Sequence, residues 1–183
     1  MRIYLADGQI LRSAGRLQEA LAVFTKGLKE MPDNADLLYA RAMTAEKMGN
    51  YVMMEKDLKQ VLARDPDNVD ALNALGYSLA DHTKRYQEAL GYIKRALDLK
   101  PDSYFVQDSM GWVSYRLGHY KEAVSYLRRA LDASSDSEIA AHLTEVLWVM
   151  GDKQAAREVW DKALKVAPGN KVLLDVMNRL DHK

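Results

Sequence analysis

The chain has 183 residues, 26 Lys and Arg against 26 Asp and Glu, 48% hydrophobic and 28% charged residues, a globular balance that excludes a disordered chain. It has no cysteine, which excludes disulfides, thiolate zinc sites, iron–sulfur ligation and a cysteine nucleophile but leaves the redox compartment open. Zero net charge weakens any claim of nucleic-acid binding, which draws much of its affinity from neutralising phosphates with a basic face. Apolar runs such as 146–150 fall far short of the roughly 18 residues of a spanning helix, and Asp7 and Gln9 interrupt any signal-peptide core begun by Arg2, Ile3 and Leu5.

The four prolines share one phase. Pro32, Pro66, Pro101 and Pro168 are separated by 34, 35 and 67 residues, with one place vacant near Ser135. This frame divides the chain into residues 1–34, 35–68, 69–103, 104–136 and 137–170, and leaves 171–183. Each copy holds two helical runs with apolar residues at three- and four-residue spacing. Gly15, Gly49, Gly118 and Gly151 punctuate the turn between them in four copies, and Thr83-Lys84-Arg85 stands there in the third. Proline ends the second run because it has no amide hydrogen to donate and its ring obstructs the preceding turn. The pairs Asp33-Asn34 and Asp67-Asn68 suit a turn or the cap of the next helix, and Ser134-Ser135-Asp136-Ser137 reads the same way.

Small residues recur at fixed places: Gly8, Ala42, Gly76 and Gly111 in first helices, Ala20, Ala89, Ala123 and Ala156 in second helices. They mark close helix contacts. The second copy departs with Met54 and Val61, and the fifth has Thr144 for glycine. In 171–183, Val172, Leu173, Val176, Met177 and Leu180 form an apolar face to cover the fifth copy, with Lys171, Asp175, Asn178, Arg179 and Asp181 on a wet side; this segment reads as a capping helix. At the other end Ile3, Tyr4 and Ile10 face where a preceding copy would pack, the expectation for a piece of a longer array.

With Leu75-Gly76, Met110-Gly111, the Tyr-x-Glu-Ala turns at 86–89 and 120–123 and the phased prolines, the chain resembles the tetratricopeptide repeat family over residues 1–170. The resemblance implies an all-α, right-handed α-solenoid of five helical hairpins plus a C-terminal capping helix. Asp108-Ser-Met-Gly-Trp112, the run 140–148 and Trp160 also resemble the end of outer-membrane-tethered repeat lipoproteins of proteobacteria. That finer likeness implies a periplasmic adaptor that docks a carboxyl-terminal processing protease; a cytoplasmic scaffold is the alternative.

In the family's geometry the first helix of each copy lines the concave side through positions 2, 5, 9 and 12 or 13, which implies a peptide-binding groove. The residues so placed are Tyr39, Met43, Asn73, Tyr77, Phe105, Asp108, Trp112, Tyr115, Arg116, His142, Glu145 and Trp148, with Asp36 and Asp70 as further polar companions. Aromatics at helical spacing often belong to a core. In the fourth copy, though, Met110, Val113 and Leu117 already supply a core face, so Trp112 and Tyr115 are expected on another sector, as open groove anchors. The mixture suits a peptide with apolar side chains and some positive charge, extended or helical. The family's lysine–asparagine clamp for a chain-terminal carboxylate is missing, since its places hold Leu5 and Gln9, Tyr39 and Met43, or Asn73 and Tyr77.

Catalysis finds no support. His82, His119, His142 and His182 are scattered, His142 and Glu145 make only a His-x-x-Glu, and neither a phosphate loop nor a Gly-x-Ser-x-Gly elbow is present. Lys94-Arg95 and Arg128-Arg129 fall on second helices as solvated charge. The sequence therefore predicts a scaffold without catalysis, metal or cofactor, bound to a protein or peptide partner, with no nucleic acid and no membrane insertion. Self-association as a spacer or oligomer core is the alternative.

Overall fold

The structure is a computed structural model that describes residues 2–181; Met1, His182 and Lys183, the last two within the expected capping segment, lie outside the described residues. Among the described residues there are eleven helices and no strand: α1 (Arg2–Ser13), α2 (Leu17–Glu30), α3 (Ala35–Lys47), α4 (Tyr51–Arg64), α5 (Val69–His82), α6 (Tyr86–Leu99), α7 (Tyr104–Arg116), α8 (Tyr120–Ala133), α9 (Ser137–Val149), α10 (Lys153–Val166) and α11 (Lys171–Asp181). The all-α fold and the alternation of turn and junction follow the sequence frame.

The punctuation has visible causes. Gly15, Gly49, Gly118 and Gly151 take φ of 74°, 74°, 82° and 91°, the left-handed conformation that side chains resist. In the third copy Thr83 closes the turn differently: its hydroxyl donates to the Leu79 carbonyl at 2.5 Å and accepts the Arg85 amide at 3.0 Å. At the junctions Asn34 and Asn68 accept from the Leu37 and Ala71 amides at 2.9 and 3.0 Å. Asp136 accepts the Glu138 amide at 2.7 Å, capping α9 where the proline is vacant.

The chain divides into two compact units, residues 1–78 and 79–183. In the first, α1 packs on α2 and α3, and α3 on α2 and α4. Phe24, Leu28, Leu37, Leu38, Met54, Leu58 and Val61 fill its core. A side chain at Gly8 would enter the Phe24 ring, so the small residue is required by close approach. Met54 and Val61 are accommodated and buried. Tyr4, expected on an open face, is half-buried against Gly27 and donates its hydroxyl to Glu30 at 2.6 Å, whereas Ile3 and Ile10 are 73% and 68% exposed. Asp57 of α4, a residue the sequence did not single out, is fully buried and accepts both Nε and an Nη of Arg41 at 2.7 and 2.8 Å.

In the second unit α7 packs on α6, α8 and α9, and α9 on α8, α10 and α11. Leu127, Ile139, Leu143, Val146 and Leu147 form one cluster with Ala123, Ala130 and Ala156. Leu173, Val176, Met177 and Leu180 of α11 form another with Ala140 and Ala141, and the Trp160 indole donates to the Leu173 carbonyl at 2.7 Å. Helix α11 thus packs on α9 through these four residues, whereas Val172, expected on the same face, is exposed. Thr144, in place of glycine, is buried and returns its hydroxyl to the Ala140 carbonyl at 2.8 Å.

Candidate functional site

In the second unit a hollow of about 480 Å³ is lined by Asp81, Trp112, Tyr115, Arg116, Tyr120, Glu145 and Arg179. Four expected groove residues, Trp112, Tyr115, Arg116 and Glu145, meet there. The indole of Trp112 lies against His142 at 4.3 Å between ring centroids and 23° between planes. Its N–H donates to Asp81 at 3.2 Å, and Tyr115 leans on it at 5.1 Å. The Arg116 guanidinium sits 5.1 Å from the Tyr86 ring centre and 5.9 Å from that of Trp112. It donates to the Tyr86 hydroxyl at 3.0 Å and lies 3.7 Å from the Asp81 carboxylate.

These contacts correct one expectation. Trp112 is only 6% exposed, not an open anchor, because α7 has neighbours on several sides and its residues 106–114 are all buried. Met110 and Val113 therefore do not use up the buried sector of the helix. Tyr115 is half-buried and borders the hollow with its edge. The carboxylates of Asp108 and Glu145 are buried as well, each against a hydrogen-bonding partner, His142 and Arg179 respectively.

Asp108 faces His142 Nδ1 at 2.8 Å. Burial by itself lowers the His142 pKa, but the adjacent Asp108 charge and hydrogen bond, with Glu138 and Asp81 farther out, outweigh it and leave the imidazole above its ordinary value of 6.5. Glu145 accepts the Tyr115 hydroxyl at 3.2 Å through one oxygen and the Arg179 guanidinium through the other. Burial, then the Glu145 charge and hydrogen bond, push the Tyr115 phenol up to about 12.

Phe105 and Trp148 do not line this hollow. Phe105 packs edge-on to Tyr104 at 5.9 Å. Trp148 packs against both apolar clusters, with Lys153 and Arg157 of α10 at 4.9 and 5.7 Å from its ring centre. Asp81, Tyr120 and Arg179 are the lining residues the sequence missed; Arg179 does keep the wet side expected of it, 55% exposed, while its guanidinium reaches Glu145. The signal was available: Arg179 and Glu145 are 34 residues apart, one repeat period, as are His142 and Asp108.

In the first unit Tyr39 borders a separate hollow of about 280 Å³ with Leu5, Arg12, Asp36 and Asp70 among its neighbours. Burial first, then Asp70 and Glu46, raise its phenol pKa, and Arg12 opposes them. Met43, Asn73 and Tyr77 are half-buried outside that lining, and Asn73 Oδ1 is a buried acceptor with no hydrogen-bond partner. Among the described residues no three His, Asp or Glu side chains converge as a metal-binding group, and no helix is long and apolar enough to cross a membrane.

Helical hairpins whose first helices border polar, ring-walled hollows are the architecture of an interaction scaffold. Tetratricopeptide-repeat models match residues 4–52, 55–104 and 108–137, and the chain belongs to the tetratricopeptide repeat family. It is 45% identical over 145 residues to the TPR repeat-containing protein PA4667 of Pseudomonas aeruginosa, a match covering 79% of this chain and 25% of that protein; the chain thus spans about a quarter of the length of this curated relative. Among solved structures it resembles TTC0263, a thermophilic TPR protein of Thermus thermophilus, with a TM-score of 0.83, 28% identity and coverage of 99% and 97% of the two chains. It shares the fold of YrrB, with a TM-score of 0.65, 20% identity and coverage of 96% and 90%.

Proposed function

We propose that this chain is a non-catalytic scaffold that holds a protein or peptide segment against its first helices, with the hollow beside Trp112 and Tyr115 as the principal seat. The observation that carries the reading is the hollow itself, where three aromatic side chains and two carboxylate–guanidinium pairs line about 480 Å³. Aromatic and arginine side chains are those that protein interfaces use most as anchors. YrrB, which shares the fold, is described as a TPR protein with an unusual peptide-binding site, in keeping with such a use. The finer reading is an envelope adaptor for a carboxyl-terminal processing protease. It rests on the likeness of 108–112 and 140–148 to tethered repeat lipoproteins, and the Pseudomonas relative supports a bacterial setting.

The test is affinity capture from periplasmic and cytosolic extracts in parallel. Tyr115→Ala with Tyr120→Ala, both at the hollow's edge, should lose the captured partner while far-UV circular dichroism stays unchanged. Arg128→Ala with Arg129→Ala, on α8 away from the hollow, should retain it. Equal capture by both variants would sink the groove reading, and retention of proteins only from the cytosolic extract would sink the envelope reading.

Self-association is the second reading, favoured by Ile3 and Ile10, which stand exposed seven residues apart on α1. Light scattering across a concentration series decides it: a mass that rises in the wild type and stays monomeric in Ile3→Gln with Ile10→Gln supports it, and a constant monomer mass refutes it.

A further inference from the structure

Glu145 is a sealed carboxylate with a replaceable counter-ion. Its side chain is 9% exposed, and that of its ionic partner Arg179 is 55% exposed. A carboxylate so far removed from water requires a cation, because an unpaired buried charge is strongly unfavourable. An exposed arginine loses side-chain freedom when held in one geometry, so its half of the pair is the weaker hold. Arg116, the hollow's other cation, is held differently. It contacts Asp81, the Tyr86 hydroxyl and two ring faces, with a side chain only 26% exposed.

Helix α11 does not depend on the ion pair for its place. Leu173, Val176, Met177 and Leu180 are buried against α9, and Trp160 is bonded to the Leu173 carbonyl. Arg179 can therefore swing out while the helix stays docked. With Arg179 withdrawn, the lining holds Asp81 and Glu145 against Arg116 alone, a surplus of one negative charge in a hollow that Tyr115 and Tyr120 also line.

We infer that Arg179 is an internal stand-in for a partner's basic side chain: it occupies the Glu145 seat in the free chain, and a peptide segment carrying an arginine flanked by apolar residues displaces it. This deepens the groove reading above and rests on it, naming the charge and side-chain type the seat accepts. Tyr115, whose hydroxyl already holds the other Glu145 oxygen, keeps the carboxylate oriented during the exchange.

The experiment titrates the full chain with N-acetyl-Leu-Arg-Leu-amide and follows the Trp112 indole N–H resonance, assigned through Trp112→Phe. The control peptide carries citrulline, the uncharged near-isostere of arginine. A stand-in present nine-tenths of the time weakens apparent affinity roughly tenfold, so Arg179→Ala should bind the arginine peptide about that much more tightly than the wild type. The citrulline peptide should show no such gain, and Glu145→Gln in the Arg179→Ala background should abolish the preference for arginine. Circular dichroism and the melting temperature of each variant confirm that the fold persists. Equal affinity in wild type and Arg179→Ala, an equal gain for citrulline, or no binding by either protein overturns the inference. These failures are distinct from failure of the groove reading, which is judged by partner capture with the Tyr115 and Tyr120 variants.

Discussion

Two glycines in the second unit make opposite demands on one substitution. Gly91 lies within α6, and a Cβ added there meets nothing within 4 Å. Gly91→Ala should therefore stabilise the chain by about 0.5–1 kcal/mol, the cost of glycine in a helix interior. Gly111 lies within α7 and carries the same backbone gain, but its Cβ would stand 2.5 Å from Leu127 Cγ and 3.1 Å from the Ala123 carbonyl oxygen. Leu127 is fully buried and has no free volume to enter, and the carbonyl belongs to helix α8. Overpacking of this kind costs about 1–3 kcal/mol, and a contact this short with a fixed backbone atom belongs at the upper end. After the backbone gain of about 1 kcal/mol is offset, Gly111→Ala should lose about 2 kcal/mol. In a chain of this size each kcal/mol moves the melting temperature by about 2–4 °C. Calorimetry should show a rise of about 1–4 °C for Gly91→Ala and a fall of about 4–8 °C for Gly111→Ala. A rise in both would refute the reasoning, because it would mean that α7 and α8 separate freely to admit a methyl group.

Three further outcomes follow from the charges. Arg41→Met should cost about 3–5 kcal/mol in urea denaturation by stranding the buried Asp57 carboxylate, and Asp57→Leu in the same background should recover most of the loss; no recovery would mean that the arginine acts through packing alone. His142, whose folded pKa is raised, adds stability that is fully present below its ordinary value of 6.5 and is lost as pH rises through the folded value. Between pH 6 and pH 9 the wild type should therefore lose more urea resistance than His142→Gln, and equal losses would remove the charge from the account. Tyrosine absorbance near 295 nm should contain one phenol titrating at about 12, absent in Tyr115→Phe, and an unchanged titration curve would refute that assignment.

Repeat phase made the fold legible. Pro32, Pro66, Pro101 and Pro168 marked the junctions, and Gly15, Gly49, Gly118 and Gly151 marked left-handed turns, because proline and glycine constrain the backbone locally whatever the tertiary context. Side-chain exposure is not local. Angular position on α7 separated Trp112 from Met110 and Val113, but that argument assumes one buried face, and α7 is enclosed along 106–114. The buried ion pairs were harder still. Asp57 and Arg41 resemble solvated helix charges until α3 and α4 are brought together, and Glu145 looks wet until α7 and α11 are laid against α9. The one-period spacing of Glu145 and Arg179 could have suggested the pair, because equal positions in successive first helices become neighbours on stacking.

The doubly bonded contact between Arg41 and Asp57 also restricts how the first unit can assemble. A slip of α4 by one turn along α3 moves a residue about 5.4 Å, enough to carry the carboxylate out of reach of the guanidinium while leucine and methionine side chains still overlap. The apolar surface alone is tolerant of such a slide; a dehydrated ion is not. The pair therefore works as a register key, and of the several ways two greasy helices can lie side by side it leaves one that does not strand a charge.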